Sequence, residues 1–143
     1  MASATLNNVL RVFGAKPTKQ EQSALAEEVM LMTLSRATAA DTNIKDIEVE
    51  KVQSVLKKHL DKDYSTAEIR IAANSEMYEV APLREYLASA SNKMRSADKV
   101  QTIQALAEVI NVDGRVNAME IAFFNEVAAA LALTPAQIIG LVE

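Results

Sequence analysis

The sequence predicts an all-α fold: a compact bundle of seven or eight helices built from two copies of a helix–acidic loop–helix unit. Three observations lead there. The first is internal repetition. Leu34–Glu50 is echoed within Leu106–Glu126 at a constant offset of 72 (113 minus 41), so that Asp41 matches Asp113, Ile44 matches Val116, Glu48 matches Glu120 and Val49 matches Ile121. The second is periodicity: apolar residues recur three and four apart along most of the chain, and no strand-like alternation interrupts them. The third is composition. Half of the residues are apolar but only 4% aromatic, with three Gly and three Pro in 143 residues, which suits close-packed helices rather than a loop-rich or all-β chain.

Taken in order, residues 1–17 read as an N-terminal amphipathic helix and linker ahead of a helical domain over 18–143. Leu6, Val9, Leu10 and Phe13 share one helical face, and Gly14 ends it. Arg11 and Lys16, with Lys19 just beyond, stand without an acid, a composition also found in targeting presequences and membrane-surface helices. With a modest moment and no cleavage pattern, docking on the domain is the favoured reading.

Thr18, with Glu21 three residues on, starts the next helix as a capping box, and that helix runs to about Ala39. Leu25, Val29, Met30, Leu31, Met32 and Leu34 make it apolar most of the way round, so it is expected at the centre of the fold. A helix over about Asp46–Leu60 carries the stripe Val49, Val52, Leu56 and Leu60. Ser65 and Glu68 form the next capping box, with Tyr64 and Ile69 placed as a hydrophobic staple. Leu83, Tyr86 and Leu87 face inward from a helix near Val80–Asn92, whose first turn tolerates Pro82.

Ser96 is expected to cap the counterpart of the central helix, with Val100, Ile103, Leu106, Ala107 and Ile110 inward. A helix over Ala118–Ala132 should bury Ile121, Phe124, Ala128 and Leu131. Thr134-Pro135-Ala136-Gln137 starts a short last helix, with Pro135 at its first position and Leu133–Ile138 as the staple. Tyr64–Ile69 and Leu133–Ile138 correspond at an offset of 69 (133 minus 64), so the first copy has extra loop residues around Asp61-Lys62-Asp63.

The acidic loops carry the functional signal. Asn117 and Glu120 suit a capping box, Val116 and Ile121 a staple, and Asp113-Gly114 a tight turn, so structure alone accounts for these residues. In the first copy Lys45 replaces the cap and Thr42 the glycine, yet Asp41 and Glu48 remain. Carboxylates kept without a capping partner point to a second role, and Asp41, Glu48, Asp113 and Glu120 are the candidate ligands for a hard divalent cation, Ca²⁺ or Mg²⁺. The loops are not EF-hands: counting either Asp as position 1 puts Val52 or Phe124 at position 12.

The pattern Ala-x-x-x-x-x-Asp-Gly-x-Val-x-x-x-Glu-Ile, followed by Ala-Leu-Ala-Leu-Thr-Pro-Ala-Gln, resembles the tellurite-resistance TerB family, and a domain of some membrane-linked J-domain co-chaperones. The resemblance covers roughly residues 20–140 and is clearer in the second copy. It implies a compact helical fold of two related halves in a cytoplasmic bacterial stress-response protein. It also implies a link to divalent metal and membrane-associated protein partners, with the family's acidic positions falling on Asp41, Glu48, Asp113 and Glu120.

Composition narrows the remaining classes. A net charge of −4 disfavours a nucleic-acid binder, the lack of cysteine excludes disulfides and thiolate metal sites, and no apolar run reaches membrane-spanning length. His59, among Lys57, Lys58 and Asp61, reads as a solvated helix-end residue, and no nucleophile motif accompanies it. The expectation is a non-enzymatic interaction module whose acidic loops bind a divalent cation or a basic partner. The alternative is a structural scaffold or self-association domain in which the acids only cap helices. An enzyme using paired carboxylates is the least favoured reading, since catalytic carboxylates usually sit in a cleft with perturbed pKa values and here each has a capping alternative.

Overall fold

The computed structural model describes residues 18–38, 49–74, 83–110 and 118–139. They form seven helices: α1 (Lys19–Arg36), α2 (Val49–Leu60), α3 (Thr66–Ala73), α4 (Leu83–Ser91), α5 (Ser96–Ile110), α6 (Ala118–Ala130) and α7 (Pro135–Ile139). No strand occurs among the described residues, and the all-α expectation holds. The N-terminal helix expected before Gly14 lies outside them.

The two related helices α1 and α5 pack on each other at the centre, with α2, α3 and α4 against α1, and α2, α6 and α7 against α5. Each buries more than a single stripe. Leu25, Val29, Met30, Met32 and Leu34 are buried on α1, and Ile103, Leu106, Val109 and Ile110 on α5. The repeat is visible in burial as well as in sequence. Met30, Thr33, Leu34 and Ala37 are buried, and so are their counterparts Thr102, Ala105, Leu106 and Val109. Val55 and Leu56 of α2 correspond in the same way to Val127 and Ala128 of α6, all four buried. Where α1 and α5 begin, Arg95 Nη2 lies 3.5 Å from Ser23 Oγ, so equivalent ends of the two copies meet.

Local signals fix the helix ends. Thr18 Oγ1 accepts from the Glu21 amide at 3.2 Å, and its hydroxyl donates to the Glu21 carboxylate at 3.1 Å. The Ser65–Glu68 box is reciprocal, with both bonds at 3.0 Å. Thr134 and Gln137 make the same pair of bonds at 2.8 and 3.2 Å ahead of Pro135. Ile69 is buried and Tyr64 packs against the core, as a staple requires; the Ile138 side chain is not among those described. At the end of α6 the Leu133 amide reaches Ala128 O at 3.1 Å and the Ala132 amide reaches Ala129 O at 3.0 Å. This is a Schellman closure, and it holds Ala132 at φ 56° without a glycine.

Four expectations are corrected. The helix expected to run to Ala39 ends at Arg36, where Ala37 and Thr38 turn back onto Thr33 and Ser35 carbonyls. Ser96 does not cap α5 but is its first helical residue; Arg95 precedes it and pairs with Asp98 at 2.7 Å. His59 is not solvated: its side chain is 8% exposed. Ile121 is not inward but 49% exposed. Because α6 carries apolar residues on every side, they cannot all face the core, and the buried stripe is led by Glu120 and continues through partly buried Phe124 to Val127 and Leu131.

Two stability outcomes follow from this packing. Leu106→Ala is expected to lower unfolding free energy by about 2–5 kcal/mol in denaturant melts; a loss under about 1 kcal/mol would show that α5 is peripheral. Ala132→Gly is expected to raise stability by about 1 kcal/mol, because glycine bears no left-handed penalty at that closure. Destabilisation by Ala132→Gly would contradict it.

Candidate functional site

Of the four candidate ligands, Asp41, Glu48 and Asp113 lie outside the described residues. Glu120 is described, in the first turn of α6, and is 3% exposed. A carboxylate this buried needs compensation from donors or positive charge, and Glu120 is engaged in an interaction of its own. Its place at a helix start supplies the favourable end of the peptide dipoles. No group of three or more His, Asp or Glu side chains poised for a metal occurs among the described residues. The three extra loop residues of the first copy have structural work: Asp61 ends α2 at φ 55°, Lys62 reaches Glu27 of α1 at 2.6 Å, and Lys57 lies 3.5 Å from both Asp61 and Asp63.

The structure reveals a polar cluster that the sequence reading missed. Glu108, in the last turns of α5, binds Lys58 through one carboxylate oxygen and His59 Nε2 through the other. Gln101, two turns earlier on α5, places its amide nitrogen 3.4 Å from His59 Nδ1 and 3.4 Å from the His59 carbonyl. His59 Nε2 is placed to donate to the Glu108 carboxylate. Burial works to raise the Glu108 carboxyl, but hydrogen bonds and charge from Lys58 and His59 outweigh it and hold the group below its ordinary value near 4.5. The repeat carried a signal for this cluster. His59 aligns with inward Leu131, so a buried side chain was indicated there.

Glu108 aligns in turn with Arg36, whose Nη1 donates to the Ala73 carbonyl at the end of α3 at 2.9 Å. Equivalent positions near the ends of the two central helices therefore brace neighbouring helix ends with opposite charges. At the α1–α4 contact, burial pushes the Glu28 carboxyl up, and the Tyr86 hydroxyl works against that. Each described cluster is assembled from paired groups with helix-bracing roles.

Glu108 makes stability depend on pH with a defined sign. Its folded value is depressed, so its contribution is present above about pH 4.5 and is lost as pH falls through the lower folded value. The Glu108 side chain is 26% exposed. Glu108→Gln should cost about 1–2 kcal/mol at pH 7 and flatten the acid limb of the stability–pH curve. An unchanged acid limb in urea melts from pH 3 to 7 would contradict this.

The comparisons agree with the helical architecture. The family model described as Tellurite resistance protein TerB matches residues 27–142. No curated protein matches the chain, and no solved structure does. No described helix is long and apolar enough to cross a membrane. With a match spanning both repeats and most of its length, the chain belongs to the TerB family.

Proposed function

We propose that this chain is a non-enzymatic interaction module of bacterial stress response, working in the cytoplasm, whose acidic corners bind a divalent cation or a basic segment of a membrane-associated protein. The observation that carries this reading is Glu120. It occupies the head of the buried α6 stripe, where Val127 and Leu131 lead one to expect an apolar side chain, and Asp113 lies seven residues before it. A carboxylate held in that position contributes negative charge where α5 turns into α6. Asp41 and Glu48 repeat the pair in the first copy. Ca²⁺ or Mg²⁺ suits such an all-oxygen set. With few carboxylates, affinity is expected at about 10⁻⁴–10⁻³ M.

The engagement of Glu120 within the fold favours a second reading, in which the acids cap helices and the domain is a scaffold or self-association unit. One experiment separates the two. Wild type and Asp113→Asn/Glu120→Gln are melted with and without millimolar Ca²⁺ or Mg²⁺, with calorimetric titration alongside. Cation binding to the folded state alone raises the wild-type melting temperature by mass action, and the double variant loses that rise. If wild type shows no cation-dependent shift, the cation reading fails. Glu120→Gln alone should then melt close to wild type, because Gln can still complete a capping box.

A further inference from the structure

We draw no further inference here: the strongest candidate, the end of the bundle where Arg95 at the start of α5 lies beside Ser23 of α1, is a helix N-terminus whose guanidinium is already paired with Asp98, and no second feature among the described residues points to a ligand there.

Discussion

The fold depends on the mutual burial of α1 and α5. Both helices are apolar beyond a single stripe, so neither can be a surface helix, and each supplies much of the surface that the other lacks. Small residues take part: Thr33 and Ser35 on α1, Ala37 just after it, and Thr102 and Ala105 on α5 are fully buried alongside the leucines and isoleucines. Mixing small with large side chains lets helices approach closely without leaving voids. The shorter helices then cover what the central pair leaves open. Neither copy of the unit could bury its own central helix unaided.

Polar side chains refine that arrangement at its ends. Arg36 ties the last turn of α1 to the end of α3, and Glu108 ties the last turns of α5 to the end of α2. The two positions are equivalent in the repeat, yet one is cationic and binds a backbone carbonyl, while the other is anionic and binds side chains. Duplication preserved the place of the brace and let its chemistry diverge. The same divergence explains the loop after α2, where Lys62 spans to Glu27 and Asp61 takes the left-handed position.

What the sequence reveals divides along physical lines. Periodicity and caps are local, so the helix count, the Ser65–Glu68 and Thr134–Gln137 boxes and the central place of α1 and α5 were legible from residue spacing. His59 was not, because its burial comes from Glu108 and Gln101, more than forty residues away in the chain. Ile121 was misplaced for a different reason. A helix with apolar residues on every side gives no phase, and periodicity alone cannot choose which stripe turns inward. The burial of Glu120 at the head of the chosen stripe reverses the usual ranking of residue types, and the carboxylate is engaged within the fold there. Of the candidate ligands, only this one falls within the described residues.

The two copies also differ in what they present to solvent. In the first copy the exposed side of α2 carries Glu50, Ser54, Lys57 and Lys58, and the loop acids Asp61 and Asp63 sit beside Lys57. Charge there is balanced locally, which favours solubility and makes few demands on a partner. In the second copy the exposed side of α6 carries Ala118, Ile121, Ala122 and Ala129, with Asn125 and Glu126 among them. Alanine there costs the fold little, because it favours the helix even where nothing packs on it.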